Sequence, residues 1–514
     1  MGQAGKLVPS TQYGRPQMPT RRTVLGQTIA AGLTLALPAG RSVAQDRYDQ
    51  AALLQFPPLG DITLLYYSDV YGMLHPHLLR PAAVRHGPDR VPNLTGEALR
   101  IRYGIGGRTP MDAAMTAEGF DALGAVYGPM GGVAHLAAVI GAVRAARPGT
   151  LVLDGGDSDS ALVRQTLRPD AATFGRSGPP ATGALAVNHQ GQPTHTSFER
   201  GPAGVAVIGI ADPHRIDTVF SLEALQQAVT ARRDAGAAVV VVLSRLGFEA
   251  DRAIASGIDG VDVIFSGRSG HALPEPEVIG GTRIVASGSQ GRFVSRVDIA
   301  VSDGRLADLR HGLIPVFSNL IRPDAAVARR LPDVAAAEVG TAADMLHHLD
   351  TFSGTWEALI GEAMRAHTGA PVALIPPLRA AETVLPGQPI LDRQIGQVAA
   401  GQRVVVRRLT GAAVALMLES AAEAVFAADP VARREARMMR TQGLSFAIAP
   451  GAGEGGRISD LKLLDAGRAL SPEEEVPVAL LGQDAGTPLE EALTQHVARL
   501  RQVTAVPSPV IVNG

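Results

Sequence analysis

At 514 residues the chain is too long for one hydrophobic core, so two domains with short appendages are expected. Hydrophobic residues at 46% against 19% charged fit a water-soluble globular protein, and a net charge of −2 removes any electrostatic case for nucleic acid or an anionic membrane. Cysteine is absent, which excludes disulfides, thiolate zinc sites and cysteine nucleophiles.

The first element in chain order is a leader. Thr20-Arg21-Arg22-Thr23-Val24-Leu25 opens an apolar run to about Leu37, and Ser42-Val43-Ala44 supplies small residues for cleavage. Paired arginines, a short apolar segment and that site predict a twin-arginine export signal over residues 1–44, with the mature chain in the periplasm. The apolar stretch is too short to cross a bilayer comfortably.

Asp61–Ser68 reads as a first strand ending in the polar turn Asp69-Val70-Tyr71-Gly72. Gly131–Arg147 carries apolar residues at helical spacing and leads through the strand Thr150–Leu153 to Asp154-Gly155-Gly156-Asp157. Residues 168–200, rich in Gly, Pro, Thr and Ser, predict a surface loop. Gly204–Ile210 is a strand, Leu222–Ala235 a helix, and Ala237–Leu243 a strand that ends at Ser244-Arg245-Leu246-Gly247. Val261–Phe265 is another, ending in Ser266–Gly270, and Arg283–Ala286 and Phe293–Val301 follow. Alternating strands and helices predict an α/β architecture, and the glycine-rich loops after four of these strands converge on one sheet edge, where sites form.

The pattern breaks at Pro315–Asp324. Beyond it, helices are expected within Ala325–Leu349 and over Thr355–Thr368 and Gly411–Ala428, in a second domain at 325–505. Across residues 325–514 the aromatics are Phe352, Trp356, Phe426 and Phe446, which leaves no spare pair to clamp a nucleotide base.

Taken in order, the Asp69 turn, GGVAHLA (131–137), LVLDGGD (151–157), LS-x-x-G (243–247) and DVIFSG (262–267) resemble the metallophosphoesterases with a 5′-nucleotidase-type C-terminal domain. NLTGEALRIRYGI (93–105), YGPMGGVAHLA (127–137), LIPVFSNL (313–320), FSGTWEALI (352–360) and TVLPGQPI (383–390) narrow the resemblance to the SoxB thiosulfohydrolases of sulfur oxidation. The resemblance implies a four-layer αββα metallophosphoesterase sandwich over 58–318 and a smaller α/β C-terminal domain. It also implies two manganese ions, and release of sulfate from a sulfonated cysteine on a SoxYZ-type sulfur-carrier protein.

The resemblance puts Asp69 and Asp157 at family metal-ligand positions, Asp157 at the bridging one. The histidines have gone. Tyr66 and Tyr71 stand at two family histidine positions, Arg245 replaces the histidine of Ser-His-x-Gly, and Arg268 and Gly270 replace both in Gly-His-x-His. His271 is one place out of register, and the Asn-His-Glu box looks deleted, with Asn188-His189 a relic at most. Arginine stays protonated and has no lone pair for a cation, so manganese is expected to be weak or absent.

Arg245 and Arg268 are expected to neutralise the aspartates or, with Arg379 from the second domain, to bind a sulfonate. Three readings stay open: an impaired homologue that binds a sulfur carrier or its sulfonated tail, a working thiosulfohydrolase using His75 or His189 as new ligands, and a non-catalytic anion-binding or assembly protein.

Overall fold

The computed structural model describes residues 48–87, 93–158, 161–173, 184–187, 194–200, 203–212, 220–268, 270–332, 336–433, 437–483 and 485–513. The twin-arginine segment and Asn188-His189 lie outside the described residues.

Twelve strands of the first half form two six-stranded sheets. In chain order they are β1 (Ile62–Tyr67), β2 (Leu151–Asp154), β3 (Ala171–Thr173), β4 (Ala184–Leu185), β5 (His195–Arg200) and β6 (Ala203–Ile210). The remainder are β7 (Ala237–Ser244), β8 (Val263–Ser266), β9 (Glu277–Ile279), β10 (Thr282–Ala286), β11 (Phe293–Ser302) and β12 (Arg305–Pro315). One sheet runs β12-β11-β1-β2-β3-β4, the other β5-β6-β7-β8-β10-β9.

Alternation along each strand explains the layering. Leu64 and Tyr66 face the second sheet, where they meet Val205, Val241 and Phe265 in the shared core. Leu65 and Tyr67 point the other way onto Val133, Leu136 and Val139 of the Val133–Ala146 helix. On the far side, Ile208, Val240 and Ile264 pack under Leu225 and Val229 of the Leu222–Asp234 helix and Ile254 of the Phe248–Gly257 helix. Helix, sheet, sheet and helix give the αββα sandwich. Strands covered on both faces read as continuous apolar runs, as Val239–Leu243 does.

Two expectations are corrected. Residues 168–200 are not one surface loop: β3 and β4 extend the first sheet in parallel from β2, and β5 pairs antiparallel with β6. The helix expected within Ala325–Leu349 is a single turn, Ala325–Ala328, capped by Asp324, whose carboxylate accepts from the Ala326 and Val327 amides. Pro332 denies the helix a donor, and β-branched Val339 and Thr341 serve instead in a strand, Glu338–Ala342, against Pro389–Leu391.

The second α/β domain holds three smaller sheets, of three, five and four strands. Its Thr355–Thr368 helix falls where periodicity put it, and buries Trp356, Leu359, Ile360 and Met364. Among the described residues no helix is long and apolar enough to cross a membrane.

Candidate functional site

Parallel pairing aligns the strand ends that build the site. Tyr67 of β1 lies opposite Asp154 of β2, and Ser244 of β7 is level with both Ile210 of β6 and Ser266 of β8. The residues that follow emerge at one edge of the two sheets. Five of them have left-handed backbones: Asp69 (φ 53°), Tyr71 (52°), Asp157 (50°), Arg268 (69°) and Gln290 (61°). Non-glycine residues occupy this region at a cost, which surrounding contacts must offset. Here the Asp69 amide donates to Gly156 O (3.0 Å), the Tyr71 amide to Asp157 O (2.9 Å) and the Gln290 amide to Asp69 O (2.7 Å).

Arg245 occupies the centre. Its Nη1 donates to Asp69 Oδ1 at 3.1 Å and to Gly155 O at 2.6 Å, while Nη2 donates to Asp157 Oδ2 at 2.6 Å. The Arg245 and Asp157 side chains are 0% exposed and Asp69 is 1% exposed. The other oxygen of Asp69 accepts from the Ser68 hydroxyl (2.6 Å) and the Arg268 amide (2.8 Å). Burial works against the Arg245 cation, but Asp69 and Asp157 outweigh it, and its pKa is raised further. The arginine is a permanent charge.

This geometry corrects two expectations. Arg245 leaves the substrate-binding set, because it has no exposed surface and three of its hydrogen bonds run inward. Arg268 meets Asp69 through its backbone, whereas its guanidinium turns to Leu246 O (2.6 Å) and Arg433 O (3.0 Å), with Nε 3.7 Å from Asp212 Oδ2. Arg379 is exposed on the second domain, and that domain reaches Arg268 through the Arg433 carbonyl. Asp212 escaped the sequence reading. It follows the end of β6 by two residues, so the strand-end rule that marks Asp69 would have found it.

The histidines do not gather here. His75 Nε2 faces Pro332 O at 3.1 Å, and His77 is buried with its pKa held down at about 4, chiefly by burial. His271 packs against Phe248 at 5.4 Å between ring centroids, its pKa brought down to about 3 by burial and then by Arg85. Tyr66 stacks on Phe265 at 4.6 Å. Burial raises its pKa, so it stays a neutral phenol.

A dinuclear metal centre does not fit these residues. Among the described residues no group of three or more His, Cys, Asp or Glu could hold a metal ion, and the guanidinium of Arg245 fills the space between the two aspartates. A Cβ at Gly155 would overlap the Tyr66 hydroxyl and lie 2.8 Å from Ser68 Oγ. Gly155→Ala is therefore expected to lose about 1–3 kcal/mol in urea unfolding, with part regained in the Tyr66→Phe background. Equal losses in both backgrounds would contradict the overlap.

No protein-family model matches the sequence, and no curated protein does. The solved structures are informative. The backbone shares its architecture with the 5′-nucleotidase precursor of Thermus thermophilus, at a TM-score of 0.67 and 18% identity over 88% of this chain and 99% of that one. A putative 5′-nucleotidase of Staphylococcus aureus matches at 0.51 and 18% identity, with the same coverage of 88% and 99%. The class is thus a metallophosphoesterase sandwich joined to a 5′-nucleotidase-like C-terminal domain. Within it the chain is a structural homologue of SoxB. Against the sulfate thiohydrolase SoxB of Thermus thermophilus, the TM-score is 0.82 and the identity 28%, over 90% of this chain and 98% of that one.

Proposed function

We propose that this chain is an exported SoxB-type protein that engages a sulfonated sulfur-carrier protein without hydrolysing it. The observation that carries the reading is Arg245, buried between the two retained aspartates with hydrogen bonds to both. A pair of divalent cations can lower the pKa of water and polarise a leaving group; a guanidinium can do neither, since it accepts no lone pair. The scaffold of the cleft is kept while the means of activating water is not. The carrier, the periplasmic location and the replaced manganese pair belong to this reading by analogy with SoxB.

The test is metal analysis of protein matured through its own export route, followed by binding to an S-sulfonated carrier. Near-zero manganese, zinc and iron, unchanged after incubation with manganese, together with carrier binding and no sulfate release, is the expected result. Close to two metals per chain, or sulfate release, would overturn the reading.

A further inference from the structure

A second feature lies beyond the aspartate–arginine cluster, on the next residues of the same loops. A cavity of about 40 Å³ is lined by Arg85, Gly270, His271, Arg292 and Phe293 on an otherwise largely apolar wall. Gly270 and His271 follow the Arg268 loop, and Arg292 lies two residues past Gln290, whose amide holds Asp69.

The charge balance here leans positive, with Arg85, Arg292 and Arg437 against Asp350. Arg292 is only 4% exposed, and its hydrogen bonds, to Ser289 O and Ala114 O, are both long at 3.4 Å. Arg85 keeps partial exposure at the cavity wall. Among the described residues neither arginine has a carboxylate within ion-pair distance, whereas Arg100, Arg233, Arg296 and Arg457 each do. The pKa values of Arg85 and Arg292 are pulled down to about 10, first by burial and then by neighbouring cations, Arg437 for Arg85 and Arg85 for Arg292, while the Asp350 carboxylate acts the other way on Arg85. His271 adds a ring held neutral. The Phe293 ring, its centroid 5.3 Å from the Arg292 guanidinium carbon, offsets part of the cost of burying that cation. An anion shared by the two arginines would offset more.

We propose that Arg85 and Arg292, with the 270–271 loop, form a binding pocket for one small tetrahedral oxyanion. Guanidinium groups match such oxygens by paired N–H donors. The volume matches the ligand: a single water needs at least about 10–15 Å³ of such space, so this cavity takes a few waters or one oxyanion and no nucleoside. The pocket stands apart from the carrier reading, since free sulfate alone would satisfy it.

The experiment is calorimetric titration of the mature chain with sodium sulfate, with a peptide bearing S-sulfocysteine, and with sodium chloride at equal ionic strength. One sulfate or sulfonate per chain is expected, with affinity falling roughly tenfold or more in Arg85→Gln and unchanged in Arg408→Gln on the exposed surface. Tighter binding of the peptide than of sulfate identifies a protein-borne sulfonate as the source; sulfate without peptide identifies the free ion. Both outcomes support the pocket, whether or not an intact carrier protein binds. No saturable heat at millimolar sulfate, an equal response to chloride, or undiminished binding in Arg85→Gln would overturn it. Should Arg85→Gln fail to fold, a selenate derivative keeps the question open to decision: anomalous density between Arg85 and Arg292 supports the pocket, and density only elsewhere refutes it.

Discussion

Arg245→Ala is expected to destabilise the first domain by about 3–5 kcal/mol, the usual loss when one partner is removed from a buried ion pair. The reason is what remains. Asp69 and Asp157, 1% and 0% exposed, would be left facing each other without a cation, and Gly155 O would lose its 2.6 Å donor. Removal of the side chain also opens a void where water gives only partial relief. At roughly 2–4 °C per kcal/mol for a domain of this size, the melting temperature should fall by roughly 6–20 °C. Calorimetry or circular dichroism is the suitable readout, because the single tryptophan, Trp356, lies in the core of the second domain and reports on that domain. A loss below about 1 kcal/mol would mean that the buried pair contributes no more than an exposed one.

Two companions separate charge from shape. Arg245→Lys keeps the cation but offers a single ammonium to acceptors that a planar fork now spans, so an intermediate loss is expected. Arg245→His places a metal-ligand type between two carboxylates. Manganese is expected to raise its melting temperature and to leave the parent protein unchanged, by linkage of binding to the folded state. An equal response from both would show that the parent protein already binds the ion.

Much of this was legible in the sequence, for identifiable reasons. Strands covered on both faces betray themselves as apolar runs, so β1, β7 and β8 and the polar loops at their ends were readable, and with them Asp69, Arg245 and the Arg268 loop. Thr355–Thr368 was readable because Trp356, Leu359, Ile360 and Met364 repeat at helical spacing. What sequence pattern could not supply was direction. Arg268 looks the equal of Arg245 on paper, yet a left-handed backbone of φ 69° turns its amide toward Asp69 and its guanidinium toward Arg433 O. The run at 325–349 failed because local apolar spacing said helix while Pro332 and pairing with Pro389–Leu391 decided otherwise. Arg85 and Arg292, 207 positions apart in the chain, meet only through tertiary packing around one cavity.

Asp251 carries the second large prediction. It is 0% exposed on the Phe248–Gly257 helix, beneath the loops of Arg245 and Arg268. The Ser244 and Ser266 side chains lie beside it short of ordinary hydrogen-bond geometry, and Arg268 attracts it from further off. Burial dominates and raises its pKa from 3.8 to about 7. A carboxyl whose folded pKa lies above its unfolded value binds an extra proton on folding. Its contribution to stability is therefore complete below about pH 4 and is lost as pH rises through 7. Asp251→Asn keeps the shape and cannot ionise, so the variant should gain on the parent across that window, by an amount on the order of 4 kcal/mol above pH 8. His77 and His271, buried and neutral, impose an opposite dependence in acid. Both proteins share those histidines, and the difference between their urea midpoints from pH 4 to pH 8 isolates Asp251. A difference that stays flat over this range would place the carboxylate in a charged state at neutral pH. Asp251 would then add a negative charge to a site that already sets Asp69, Asp157 and Asp212 against Arg245 and Arg268.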